Sequence, residues 1–197
     1  MVSSNAKGGG FERKTCKQLS AWLTDGVRDD IFWRTSMSGG RATLGLRQGK
    51  KREAQAGDVG AIDPLGQAFL SVFSVECKFV KSLNLGQMLA MKSGKTVKFW
   101  LKHRGECAQY GREPFMVARE NRYPTLLFLS EAGLTRLGLE YSAFRALFRG
   151  RVTMPGYAGA GDRRKLVWNL EEVYVLDWER FLKETLPNTH LLRGKKS

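Results

Sequence analysis

Residues 69–79 form a run of alternating side chains that ends in two charges. Successive side chains of a β-strand point to opposite faces, so every second residue shares a face. One face would hold the mostly apolar set Phe69, Ser71, Phe73, Val75, Cys77 and Phe79. The other would hold Leu70, Val72, Ser74, Glu76 and Lys78. Charges are seldom placed on a buried strand without a purpose, so the run predicts a core strand with Glu76 and Lys78 side by side at its end.

Charge is the second constraint, because it bears on the partner. The 197 residues include 33 Lys and Arg against 19 Asp and Glu, which gives a net charge of +14 and a pI near 10.0. Such an excess favours a nucleic acid partner, with an anionic membrane surface as the weaker alternative. The most apolar run, residues 125–129, is far too short to span a bilayer. The N-terminus lacks the apolar core of a signal peptide, so we expect a cytoplasmic protein with no membrane partner.

Cysteine and histidine usage narrows the chemistry. The three cysteines are scattered outside any CxxC spacing and indicate reduced thiols: Cys16, Cys77 and Cys107. The chain has only two histidines, so a zinc site or a Ser/His or Cys/His triad is poorly supplied. We expect His103 to lie on the surface and not to act as a general base.

Local patterns predict an α/β fold, with a mixed central β-sheet flanked by helices and a C-terminal helical and strand extension. The helices are expected at 11–23, 95–110, 130–148 and 177–184, with a break near Gly138 as the alternative for the third. The strands are expected at 31–35, 58–62, 69–79, 115–118 and 125–129, with one or two short strands in 167–176. The segments 63–66 and 154–161 read as a hairpin turn and a Gly-rich loop. By domain, we expect a flexible tail (1–8), a core (9–130) with a basic loop (41–57), an extension packed on the core (131–190) and a basic tail (191–197).

A second carboxylate is needed if Glu76 takes part in hydrolysis of a phosphodiester. Such a reaction uses a metal ion, and Mg²⁺ prefers one or two carboxylates and several waters. Asp58 is the best partner, since its strand would pair with 69–79 through one hairpin. Asp63 is the alternative, although Asp63-Pro64 is more typical of a turn. Lys78 would face the same way as Glu76, where its ammonium can meet an attacking water or the charge on a phosphate.

These residues resemble the PD-(D/E)XK nuclease superfamily, and within it the Holliday junction resolvases of archaeal and phage type. The segment 9–13 resembles the Gly-x-x-x-Glu-Arg helix start of that family, and Arg34 followed by 38–40 resembles its Arg…Ser-Gly element. The segment 57–59 stands where the family has Pro-Asp, with Gly57 in place of proline. The segment 75–78 matches the Glu-x-Lys strand. The resemblance covers about residues 8–80, and more loosely the chain to about 130.

The resemblance implies a restriction-endonuclease-like core and a Mg²⁺-dependent endonuclease, with Mn²⁺ as a substitute, acting on branched DNA as a homodimer. The implied catalytic residues are Glu12, Asp58, Glu76 and Lys78. The implied metal ligands are Asp58, Glu76, the main-chain carbonyl of Cys77 and Glu12, although Glu12 could simply favour a helix dipole. Arg34 and Ser38 would contact the DNA backbone near the site.

Further DNA contacts are expected from basic side chains outside the motifs. They belong to the basic loop, at Arg41, Arg47, Lys50, Lys51 and Arg52, and to the helix 95–110, at Lys98 and Lys102. Three alternatives remain open at this point: a nuclease of the same fold for linear, flap or site-specific DNA, a non-catalytic nucleic-acid-binding protein, and a basic RNA-binding protein.

Overall fold

The computed structural model describes residues 4–35, 57–91, 93–140, 145–158 and 165–185. Its helices are α1 (Ser4–Leu23), α2 (Pro64–Val72), α3 (Leu85–Met91), α4 (Lys95–Tyr110), α5 (Glu131–Arg136) and α6 (Trp178–Glu184), with a 3-10 turn at Arg145–Leu147. Its strands are β1 (Trp33–Arg34), β2 (Val59–Gly60), β3 (Phe73–Val80), β4 (Glu113–Glu120), β5 (Thr125–Ser130), β6 (Phe148–Ala158) and β7 (Lys165–Asp177).

The main sheet is mixed and has five strands in the order β3-β4-β5-β7-β6. The β3–β4 pair is parallel, and all other neighbours are antiparallel. β1 and β2 form a separate antiparallel pair, in which Trp33 lies opposite Gly60 and Arg34 opposite Val59. Two consequences matter for function: β3 lies at an edge of the main sheet, and the short β1–β2 pair lies beside that edge.

Each face of the sheet carries its own apolar core, because the strands present alternate side chains to two layers of helices. On one face, α1, α2 and α6 pack against the sheet through Leu19, Phe69, Trp178 and Phe181, among others. On the other face, α3 and α4 pack through Met88, Val97 and Trp100. The predicted α/β class with a mixed sheet between helices is thereby confirmed.

Several elements match the sequence prediction closely. The helix predicted at 95–110 is α4, and the strand pair around residues 121–124 is β4 and β5. α1 ends at Leu23, just before Asp25 and Gly26, whose φ values of 52° and 80° are left-handed. Asp177 caps α6, since its side chain accepts a hydrogen bond from Arg180 N.

The predicted hairpin between 58–62 and 69–79 is wrong. Residues 63–66 do not form a hairpin turn but begin α2, where Asp63 Oδ1 accepts from Leu65 N at 2.9 Å and Pro64 fits the first helical turn. Residues 69–72 therefore belong to a helix, and β3 begins at Phe73. The alternation misled because Phe69 on the helix packs against Phe73 on the strand, at 5.0 Å between ring centroids, so both are buried in one core.

The N-terminal and C-terminal thirds also differ from prediction. α1 begins at Ser4, inside the segment predicted as a tail, and the helix predicted for 130–148 ends at Arg136. The region predicted as a Gly-rich loop contributes residues 154–158 to β6, where a register shift between Pro155 and Gly156 accommodates the two poor strand formers on an edge strand. β7 is a single strand, so the C-terminal region continues the central sheet.

Candidate active site

The open edge of β3 is occupied by Asp58. The Asp58 N–H donates to Val75 O at 2.8 Å, and the Cys77 N–H donates to Asp58 Oδ2 at 2.9 Å. The carbonyl of Asp58 accepts from Thr35 N at 3.0 Å, which continues the β1–β2 ladder. Asp58 is therefore held between two strands by its own backbone and side chain, although no hairpin connects them.

Gly57 makes this approach of the chain to β3 sterically feasible. Its φ is 90°, a left-handed value that proline cannot adopt, since the proline ring fixes φ near −65°. A Cβ at Gly57 would lie 2.6 Å from Val75 O, closer than any side chain tolerates. The glycine found in place of the family's usual proline is thus required by the backbone geometry.

Glu76 and Lys78 lie next to Asp58, on the face of β3 that α4 covers. Their side chains form an ion pair in which 13% of Glu76 and 27% of Lys78 is exposed. Burial, followed by the Asp58 carboxylate, raises the pKa of Glu76 to about 7. Burial alone would lower the pKa of Lys78, but the Glu76 carboxylate outweighs it and the pKa is raised. Lys78 therefore keeps its charge at neutral pH, whereas Glu76 is near the midpoint of its titration.

The main-chain carbonyl of Cys77 shares the open edge. Residues 75 and 77 are two apart on β3, and carbonyls two apart in a strand point to the same edge. Val75 O accepts from Asp58 N on that edge, so the Cys77 carbonyl is directed to the side on which Asp58 lies. Asp58 and the Cys77 carbonyl thus share one strand edge beside the Glu76 side chain, while the Cys77 thiol is buried in the opposite core.

α4 supplies one wall of the site, and here the sequence prediction of an exposed His103 is wrong. Only 2% of His103 is exposed, and its Nε2 lies 2.9 Å from Ser74 O on β3. Burial lowers the pKa of His103 to about 4, so the ring is neutral and donates to that carbonyl. The spacing of Trp100, His103 and Cys107, all buried at intervals of three and four, was the available signal.

Glu106 is a residue of this wall that the sequence analysis missed. Its side chain is 37% exposed, and its carboxylate lies 3.8 Å from the ammonium of Lys102. Burial raises its pKa, with a further contribution from Asp58. Its negative charge in turn contributes to the raised pKa of Glu76. Glu106 therefore adds negative charge to the site from the helix side.

Glu12 lies on α1 and forms an ion pair with Arg34 of β1. The hydrogen bond to Glu12 raises the pKa of Arg34, and the charge of Asp58 adds to the shift. A Cβ at Gly9 would lie 3.4 Å from Arg34 Cζ, so the absence of a side chain there lets the guanidinium lie against the helix. The structure thus places Glu12 and Arg34 beside Asp58, while their roles toward metal and DNA stay predictions.

The alternative carboxylate, Asp63, is engaged elsewhere. It caps α2 and accepts from Arg28 Nη1 at 2.7 Å. The Arg28 guanidinium lowers the pKa of Asp63. Asp58, and not Asp63, is the residue that reaches β3. Within the described ranges, no group of three or more His, Cys, Asp or Glu side chains is arranged to hold one metal ion.

Apart from Arg34, the predicted DNA contacts divide into two sets. Lys98 and Lys102 are exposed on α4, the helix that forms the wall of the site. Six other positions lie outside the described residues: Ser38, Arg41, Arg47, Lys50, Lys51 and Arg52. The described part of the chain contains no helix long and apolar enough to cross a membrane.

Comparison with known proteins gives one match. The profile of a family described as "Phage putative PDDEXK endonuclease" matches residues 3–154, which include every predicted catalytic residue. No curated protein and no solved structure is matched by the chain. The matched region contains α1 to β5 and most of β6, so it comprises the site and most of the sheet on which the site is built.

Proposed function

We propose a function for this chain from one premise: the chain belongs to the PDDEXK endonuclease family, and it is therefore a nuclease with a restriction-endonuclease-like fold. The finer proposal is a Mg²⁺-dependent DNA endonuclease that hydrolyses phosphodiester bonds, with a preference for branched DNA. The observation that carries it is the anchoring of Asp58 to the β3 edge, beside Glu76 and Lys78.

The donor atoms at this edge suit a hard divalent cation. Asp58, Glu76 and the Cys77 carbonyl offer oxygen only, and a site with one or two carboxylates leaves room for the waters that Mg²⁺ retains. Burial and the nearby negative charge of Asp58 both disfavour ionisation of the Glu76 carboxylate. A cation bound between the two carboxylates would favour the ionised form of both. When bound, such an ion supplies charge neutralisation and activation of a water.

The protein side chains then have separate roles. Asp58 and Glu76 hold the ion at the scissile phosphate. Lys78 keeps its ammonium charged and in place through Glu76, so it can orient the attacking water or stabilise the charge that develops on the phosphate. Arg34 offers a guanidinium for a neighbouring phosphate, in exchange for its ion pair with Glu12.

A nucleic acid is the polymer that the charge distribution favours, and the endonuclease family points to DNA. The net charge of +14 attracts a phosphate backbone, and Lys98 and Lys102 extend the positive surface along α4. Contacts to phosphate position a protein without reading bases, so we propose little sequence selectivity. Selectivity for branched DNA and action as a homodimer rest on the resemblance to junction resolvases, since cutting two strands at a junction needs two sites. The cytoplasmic location stays a prediction.

The test uses the full-length protein with end-labelled DNA of identical sequence as a four-way junction, a flap and a linear duplex. Each substrate is incubated with Mg²⁺, with Mn²⁺ or with EDTA. We expect cleavage with either metal, none in EDTA, and the fastest cleavage on the junction. Glu76→Gln should abolish cleavage, whereas Glu140→Gln, at an exposed position on another part of the molecule, should not.

Two results would change the proposal in different ways. Equal cleavage of all three substrates would remove the selectivity for branched DNA and leave the nuclease. Cleavage that survives both EDTA and Glu76→Gln would remove the metal-dependent mechanism at this site.

A further inference from the structure

We infer that Trp33 stacks on a DNA base within a few nucleotides of the scissile phosphate; the inference rests on the nuclease function proposed above. Trp33 has a large exposed surface, 42%, whereas Trp22, Trp100 and Trp178 are 6%, 0% and 0% exposed. Core packing therefore does not account for its ring, which faces solvent on the short β1–β2 pair.

The ring of Trp33 is held in place by Gly60. The two residues lie opposite each other in the β1–β2 ladder. A Cβ at Gly60 would lie 3.0 Å from Trp33 Nε1 and 3.1 Å from Trp33 Cε2, so the indole lies directly across the glycine backbone. An aromatic ring fixed over a glycine loses little conformational freedom when something stacks on its outer face, which favours binding.

The position of Trp33 connects it to the site. Gly60 follows Asp58 by two residues, which is about 7 Å along an extended chain. Successive phosphates of one DNA strand are spaced by about 3.4 Å along the helix axis. An indole over Gly60 would therefore meet a base about two nucleotides from the phosphate held at Asp58.

Trp33 and a second apolar side chain close to it in sequence are exposed, and exposed apolar groups fit a nucleobase better than a phosphate. Ile62, two residues after Gly60, is 76% exposed. Bases stack on aromatic side chains regardless of sequence, since every base has a π face. In continuous duplex DNA both faces of a base are covered by its neighbours. The occupant is therefore a base that is unstacked or at the end of a stack, as at a branch point or in a single-stranded segment.

Binding and base stacking can be measured without cleavage, which separates this inference from the proposed function. The probe is a four-way junction with 2-aminopurine at single positions around the branch point, titrated with full-length protein in EDTA. A continuous duplex with the same label is the reference. The variants are Trp33→Leu, which keeps an apolar cover over Gly60, and Trp33→Phe, which keeps an aromatic face. Tyr123→Leu, at another exposed aromatic residue, is the control; Tyr123 is 59% exposed.

We expect the wild-type protein to change 2-aminopurine fluorescence at one or two positions of the junction and not in the duplex. Trp33→Leu should lose that signal and bind the junction about 10-fold more weakly or worse. Trp33→Phe should keep most of both, and Tyr123→Leu should match the wild type. Unchanged signal and affinity in Trp33→Leu would overturn the inference.

If the Trp33 ring only covers Gly60, the variants should behave differently. Trp33→Leu should then melt at a lower temperature than the wild type and give the same 2-aminopurine signal per bound protein. That result would also overturn the inference. A wild-type protein that shows the signal but cleaves no DNA in Mg²⁺ would remove the proposed function and leave the stacking in place.

Discussion

Two substitutions at Asp58 test its structural and catalytic roles separately, because they differ in what they leave behind. Asp58→Asn removes the negative charge and keeps an oxygen that can accept from the Cys77 N–H, which lies 2.9 Å from Oδ2. Asp58→Ala removes that acceptor as well. We expect both variants to lose cleavage activity, since neither offers a carboxylate to a metal ion, and only the Ala variant to lose stability.

The size of the stability effect follows from the hydrogen bond. An unpaired buried backbone donor costs about 1–3 kcal/mol. In a protein of about 200 residues, 1 kcal/mol shifts the melting temperature by about 2–4 °C. Both variants lose the charge of Asp58, so Asp58→Ala should melt about 2–12 °C below Asp58→Asn. Asp58→Asn should lie within about 1 kcal/mol of the wild type, because its neutral hydrogen bond is weaker while the repulsion with Glu76 is removed.

The assay is thermal unfolding in EDTA at pH 8, where no metal contributes, followed by cleavage of a labelled junction in Mg²⁺. Equal melting temperatures for the Asn and Ala variants would refute the argument that Asp58 completes the β3 edge. Cleavage by Asp58→Asn at a rate near that of the wild type would refute its role as a metal ligand.

Three further predictions concern neighbouring residues. The pKa of Glu76 in the folded protein is raised to about 7, so ionisation of this carboxyl destabilises the fold. As pH rises from 5 to 8, the free energy of unfolding of the metal-free protein should fall by on the order of 3 kcal/mol relative to that of Glu76→Gln, as measured by urea unfolding. Parallel pH profiles of the two proteins would contradict this. Lys78→Met should lower the cleavage rate by about 10²-fold or more, while calorimetry should show that Mg²⁺ still binds. Lys81→Met, at an exposed position, should cleave at the wild-type rate. Equal rates for the two variants would exclude Lys78 from the reaction. Gly57→Ala should lower the free energy of unfolding by at least about 1 kcal/mol more than Gly111→Ala, as measured by chemical denaturation. Both glycines have a positive φ, but only at Gly57 would the new Cβ meet backbone atoms of β3. Equal losses of stability would show that this close contact does not matter.

Local sequence patterns correctly predicted the two faces of β3 and the bounds of α4. The alternation of charged and apolar residues placed Glu76 and Lys78 on one face of a strand and Val75 and Cys77 on the other, as the structure has them. The helical period likewise identified α4 from end to end. Both patterns depend on neighbours within a few residues, which is the range over which periodicity carries information.

The same local patterns failed where a distant contact decides. Residues 69–72 alternate like a strand but form a helix, because the cap at Asp63 and the packing of Phe69 against Phe115 of β4 outweigh their strand propensity. The sequence predicted His103 to be a surface residue, but in the tertiary structure it is buried and bonded to the carbonyl of Ser74. Neither partner lies within reach of a sequence window.

Residue order and composition were enough to predict the Glu76 and Lys78 pair on an apolar strand and the basic charge that attracts a nucleic acid. How Asp58 reaches that pair depends on the tertiary structure. Asp58 meets β3 because β3 is an edge strand with free backbone groups, and because Gly57 permits a left-handed approach that places the Asp58 N–H against Val75 O. Strand order and edges arise from non-local pairing, so the periodicity that identifies a strand does not contain them.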